Sequence, residues 1–167
     1  MLWHSSYRTD PRARELADRH YNRQKIGSPN FVPPGRCCVL FTQTPTGRAF
    51  WVTSAPYAQY VRHRWAGAWV CTAFRNEGAG VASELILQAI SASIYRLGPP
   101  PTLGMITFID RSKVRPTKVH GRAVWGWTYR KAGFVEVGET VVEKHLALQL
   151  LPHQMPPPIK PLPELWP

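Results

Sequence analysis

A chain of 167 residues with 44% hydrophobic side chains is long enough to bury one core and too apolar to be disordered. No apolar run approaches the roughly 20 residues of a membrane span, and the opening "MLWHSSYRTDPRARELADRH" has no leader-like stretch, so a cytoplasmic protein is expected. The net charge of +11 and the pI near 10.1, with 15 arginines among the 21 basic residues, point to a polyanionic partner, because guanidinium forks onto phosphate and stacks on bases.

The elements follow in chain order. Residues 11–22, "PRARELADRHYN", read as a first helix capped by Asp10, with Pro11 early and Leu16 starting an apolar face. Residues 26–35 hold three prolines and two glycines and read as a loop. "RCCVLFTQ" (36–43) and "GRAFWVTS" (47–54) flank a turn at 44–46 and predict a β-hairpin. Residues 56–66 are ambiguous between a short helix and a loop. "GAWVCTAF" (67–74) is strand-like. Cys37, Cys38 and Cys71 show no CxxC spacing and read as reduced, buried thiols, not as a zinc site.

Leu85, Ile86, Ala89, Ile90 and Ile94 recur at helical spacing, which predicts a helix over 82–97, ended by "GPPP". "TLGMITFID" (102–110) is a buried-type strand closing on Asp110. "GRAVWGWTYRKAGF" (121–134) reads as a helix running into a stop at Gly133, and 134–151 as two closing antiparallel strands. The tail 152–167 has seven prolines and is expected to be extended. It either straps over the body, or over a partner subunit of a homodimer, with Leu162, Leu165 and Trp166 as anchors, or hangs loose. The expected organisation is a domain over 1–151 with a proline-rich tail, of α/β (α+β) class: one mixed sheet with helices on both faces.

Between the third strand and the second helix lies "FRNEGAGVASELI" (74–86). Free N–H groups at a helix N-terminus point at an anion, and glycine lets that anion approach closely. Strand, glycine turn and helix, followed by a strand and by "YRKAGF" (129–134), resemble the GNAT acyltransferases. That resemblance implies a pyrophosphate cradle for acetyl-CoA at Arg75, Asn76, Glu77, Gly78, Gly80 and Ser83. It also implies a tyrosine acid near Trp127 and Tyr129. Glu77 is an odd anion there; it either pairs with an arginine or acts as a base. Ser83 is a helix cap or a hydroxyl that touches phosphate.

More closely, "DRHY", "FRNE…SELI", "TFID…K" and "KAGF", in that order over about 15–151, are similar to the phage Mom family. Those GNAT-like proteins convert adenine in phage DNA to a carbamoylmethyl form that resists restriction. The resemblance implies acetyl-CoA as donor, double-stranded DNA with a flipped base as substrate, and an Fe(II) requirement. It links His20, Tyr21 and Asp110 with iron and activity. Read on its own, Asp110 caps the turn 110–113 as readily as it serves a site, and Tyr129 suits a core aromatic as well as an acid. Arginines and lysines interleave with aromatics in 57–69 and 121–131, a mix suited to bases out of the stack. Lys113, Arg115, Lys118, His120 and Arg122 suit a CoA 3′-phosphate or a DNA backbone alike. Two other outcomes stay open: a GNAT acting on another amine, in protein, tRNA or a small molecule, and a non-catalytic DNA-binding protein on the same scaffold.

Overall fold

The computed structural model of the chain describes residues 1–166. A seven-stranded mixed sheet carries the fold. Its strands in chain order are β1 (His4–Ser5), β2 (Arg36–Thr44), β3 (Gly47–Ala55), β4 (Trp69–Glu77), β5 (Met105–Ile109), then β8 (Val135–Glu139) and β9 (Leu146–Leu150). Between β5 and β8 a separate hairpin forms from β6 (Thr117–Val119) and β7 (Arg122–Val124). The spatial order is β1-β2-β3-β4-β5-β9-β8, and only β4 and β5 run parallel.

Alternation along β2 and β3 sends two sets of side chains to opposite faces. Val39, Phe41, Phe50 and Val52 meet Ala13, Leu16 and Ala17 of helix α1 (Pro11–Asp18). Leu40, Ala49 and Trp51 meet Leu85, Ile86, Ala89 and Ile90 of helix α2 (Ala82–Leu97) on the other face. Each Leu or Ile so buried contributes roughly 1.5–3 kcal/mol. Helices therefore cover both faces, as the periodicity predicts, in a mixed α+β arrangement.

Three boundaries differ from expectation. Helix α1 stops at Asp18 and not at residue 22. There the Asp18 carboxylate accepts from Arg23 Nε at 2.8 Å and from the Gly27 amide at 3.2 Å, folding the chain back. The stretch 121–134 is not one helix. His120 and Gly121 both take positive φ (48° and 75°), which suits a two-residue turn between β6 and β7. Gly126 at φ 70° then starts the short helix α3 (Trp127–Lys131), and Gly133 ends it at φ 103°. Third, β4 runs on to Glu77, so Arg75, Asn76 and Glu77 are strand residues and not part of a loop. The ambiguous 56–66 holds a single 3-10 turn at Ala58–Tyr60.

Beyond β9 the tail lies along the body. Leu162 N–H donates to Trp3 O and Ser5 N–H donates to Leu162 O, both at 2.9 Å. Leu165 packs beside the α1 face, and Arg12 donates to its carbonyl. Trp166, named above as an anchor, is 85% exposed. Pro167 lies outside the described residues. No helix among the described residues is long and apolar enough to cross a membrane.

Candidate active site

The parallel pair β4/β5 is joined only at Trp69↔Met105 and Val70↔Ile106. Past those residues the strands part. A bulge assists the parting: Val52 faces Ala73 and Thr53 faces Cys71, which leaves Thr72 as an extra residue in β4. The Thr72 carbonyl turns to the segment after α1 and accepts from Asn22 Nδ2 at 2.8 Å. A cleft of about 490 Å³ opens between the strands, with Cys71 and Thr107 among its lining. Arg19, Arg75, Lys113 and Arg115 line it as well, and among the described residues no aspartate or glutamate does.

His20 and Tyr21 line this cleft from the turn that follows α1, not from a helix. Helical geometry would set them about 100° apart; instead their rings stack at 4.8 Å with a 26° interplanar angle. Burial lowers the His20 pKa below its ordinary value, and nearby Arg75 acts in the same direction. The ring is therefore neutral at pH 7. Its Nδ1 accepts from the Asn22 amide across a long 3.3 Å. The Tyr21 hydroxyl donates to Phe108 O at 3.3 Å.

Tyr129 enters from α3. Its ring packs edge-on against Phe74 and Phe134, and its hydroxyl lies 3.4 Å from Cys71 Sγ. It is both a core aromatic and a cleft residue. Burial pushes its phenol well above the ordinary value and pushes the Cys71 thiol up to about 12, so both keep their protons at neutral pH.

Asp110 stands just past β5 but does not line the cleft. It caps its own turn, accepting from Ser112 Oγ at 2.5 Å and Ser112 N at 3.0 Å, with His145 Nε2 3.6 Å away. Those Ser112 bonds hold its carboxyl below the usual range. An iron centre on His20, Tyr21 and Asp110 would require His20 to release Asn22; Asp110 bonds Ser112 through Oδ1 alone, but it stands outside the cleft that His20 and Tyr21 line. Among the described residues no group of three or more His, Cys, Asp or Glu is arranged to hold a metal ion.

The expected cradle divides into scaffold and open amides. Glu77 turns away from it: its carboxylate accepts two bonds of 2.7 Å from Arg19 and one of 2.6 Å from Arg75. Arg19's bonds, with Arg75's, draw its pKa down to about 2, which makes it a clamp and a very weak base. Arg75 also donates to Arg19 O at 2.8 Å, so it ties the turn after α1 to the sheet. Asn76 builds the turn itself, accepting from Ala79 N at 2.9 Å and donating to Gly80 O at 2.8 Å. The cap of α2 is Val81, with no side-chain bond to the first turn; Ser83 is the second residue of the helix. The backbone amides of Ala82 and Ser83 thus stand at an N-terminus that no side chain caps.

Gly78 takes φ 86°, and a Cβ there would come within 2.9 Å of Thr46 O. Its neighbour Gly47 is tighter: a Cβ would lie 1.9 Å from Glu77 O. Gly47→Ala is therefore expected to force the β2–β3 turn off the cradle and cost about 1–3 kcal/mol, seen as a lower melting temperature. An unchanged melting temperature would show that the two turns do not depend on each other.

Arg19, Asn22 and Thr107 were not singled out from the sequence, and Cys71 was read there only as a reduced, buried thiol. The available signals were polar residues beside the His–Tyr pair and a threonine inside the apolar strand "MITFI". Comparison of the chain with protein-family models, with curated proteins and with solved structures finds no match in any of the three.

Proposed function

We propose that the chain is a GNAT-like transferase that takes an acyl group from CoA to an amine. More particularly, we propose a Mom-like enzyme that modifies the N6 amine of adenine in DNA and so shields that DNA from restriction.

The observation that carries this reading is a cleft between splayed parallel strands, lined by Arg19, Arg75, Lys113 and Arg115 and, among the described residues, by no carboxylate; Glu77 engages Arg19 and Arg75 from outside that lining. A cationic amine, such as a lysine side chain or a polyamine, needs an anion to offset its desolvation. A nucleobase amine is neutral and needs none. The CoA phosphates and the DNA backbone both suit the cations. The uncapped amides of Ala82 and Ser83 suit the donor's pyrophosphate. When bound there, acetyl-CoA supplies a thioester carbonyl. As the amine nitrogen bonds to that carbon, His20 accepts the amine proton at Nδ1, which first releases the Asn22 amide; as the C–S bond breaks, Tyr129 protonates the thiolate. Neutral His20 and protonated Tyr129 are the states these roles need. The high Cys71 pKa favours direct transfer over an acyl-cysteine.

A carbamoylmethyl group contains a nitrogen that acetyl-CoA lacks, and it joins N6 through its methylene carbon. A Mom-like product therefore calls for a nitrogen donor and a bond at the methyl carbon, beyond this transfer.

Mass spectrometry of nucleosides from a host expressing the chain, with ferrous iron supplied, tests the reading: a modified adenine is expected. Unmodified adenine with acetyl-CoA still bound by calorimetry would favour a transferase for another amine. Loss of both would leave a DNA-binding protein.

Between Asp110 and Glu136 the chain has no acidic residue and seven lysines and arginines. Lys118 and Arg122 stand exposed on the β6–β7 hairpin, beyond Lys113, Arg115 and Thr117 of the cleft wall. If both contact phosphate, the Lys118→Ala, Arg122→Ala double variant will reduce the slope of log affinity against log salt by about 1.8. A slope equal to wild type would place the DNA elsewhere.

A further inference from the structure

A second cavity, of about 410 Å³, lies on the α1 side of the sheet beneath the loop 26–35. His20, Asn22, Thr72 and Ala73 line both cavities, so only this wall separates them. Resting on the reading above, we infer that this second cavity receives the flipped adenine, while the β4/β5 cleft holds the acyl end of the donor.

Its lining matches a purine. Phe31 supplies aromatic surface, with the fully buried Phe50 edge to face beneath it at 5.9 Å. Among the described residues no aspartate or glutamate lines it, so a cationic amine finds no counter-ion there. Three amide side chains do: Asn22, Gln24 and Asn30. Asn22 spends Nδ2 on Thr72 O, and Gln24 directs Nε2 to Asn22 O at 3.4 Å. Asn30 spends Oδ1 on Val32 N. Among the described residues, two amide oxygens and one amide nitrogen then remain to meet a ligand. Adenine presents that complement: N6–H groups donate, and N1 or N7 accepts beside them. Amide side chains are the usual partners of adenine, and a flipped base is held by such bonds with aromatic contacts.

Position adds to composition. Asn22 is bonded through its backbone to His20, so an N6 amine held by the Asn22 oxygen lies at the shared wall. There it meets the nitrogen base on one side and the donor cleft on the other. Both cavities fall in the size range of small-ligand sites.

The test is photo-cross-linking of the full chain to a single-stranded oligonucleotide carrying one 8-azidoadenine, with mapping of the labelled peptide by mass spectrometry. The label is expected within residues 22–34. It should fall about tenfold in Gln24→Ala, an exposed substitution with circular dichroism unchanged. Labelling in the β4/β5 cleft or on the β6–β7 hairpin, no labelling, or equal labelling of 22–34 by a 5-azidouracil probe would overturn the inference. Nucleoside mass spectrometry separates the two ideas. Modified adenine with cross-links elsewhere sinks the pocket alone. Unmodified adenine with cross-links at 22–34 sinks the modification alone.

Discussion

Tyr129→Phe is expected to slow transfer by about 10²–10⁴-fold, the usual contribution of a positioned proton donor, while the fold stays intact. The hydroxyl's partners in the cleft are Cys71 Sγ at 3.4 Å and the Thr107 side chain, and Thr107 Oγ1 keeps the Cys71 carbonyl at 3.5 Å when the phenol oxygen is removed. The ring keeps its contacts with Phe74 and Phe134. Two readouts separate an acid from a core aromatic. The melting temperature should stay close to wild type. The deficit should shrink with a CoA thioester whose thiolate leaves more easily, since such a leaving group needs less proton donation. A rate within threefold of wild type would remove Tyr129 from the mechanism. The pH profile gives a companion check on His20. Burial lowers its pKa, so the base is neutral at pH 7, and activity should fall only below pH 6.5, as pH drops through the lowered value. His20→Ala should abolish that acidic limb along with most of the rate.

The second large effect concerns stability. Asp10 is fully buried at the start of α1. It accepts from Ser6 Oγ at 2.7 Å, from the Arg12 amide at 2.9 Å and from the Arg12 guanidinium at 2.9 and 3.0 Å. Asp10→Ala removes a helix cap and strands the Ser6 hydroxyl and part of the Arg12 charge. The sum is about 3 kcal/mol, or about 6–12 °C of melting temperature for a chain of this size. Burial alone would raise the Asp10 pKa, but the Arg12 and Ser6 bonds outweigh it and the net shift is downward. A carboxylate with a lowered folded pKa adds stability above its unfolded value near 3.8 that is lost as pH falls through the folded value. The gap between wild type and Asp10→Ala should therefore be full at pH 7 and narrow below pH 3.8. Melting curves at pH 7 and pH 3 check this, and a gap equal at both would refute the charged cap.

The N-cap at Asp10, the β2–β3 hairpin and helix α2 were legible because each rests on neighbours in sequence: a capping side chain, two strand-period runs around a short turn, and a 3.6-residue apolar stripe. The misreadings have two causes. Residues 19–22 continue a helical pattern, yet Asp18 turns back to Arg23, while Asn22 and Arg75 find distant partners that fold the chain back over the sheet. Residues 121–134 looked helical although Gly121 and Gly126 permit the positive φ of a hairpin turn and of a helix start. A cleft between β4 and β5 was not readable at all, since it depends on where two strands 36 residues apart stop pairing.

By itself the sequence determined the sheet-and-helix class, the glycine turn before α2, the cationic character and the His–Tyr pair, all set by local pattern or by composition. Only the tertiary structure decided which of the expected residues share a site. It stacked His20 on Tyr21, brought Tyr129 to Cys71, and locked Glu77 between two arginines. It also kept Asp110 on its own turn. Those outcomes follow from competition among hydrogen bonds and from burial between segments far apart in the chain, which no local pattern encodes.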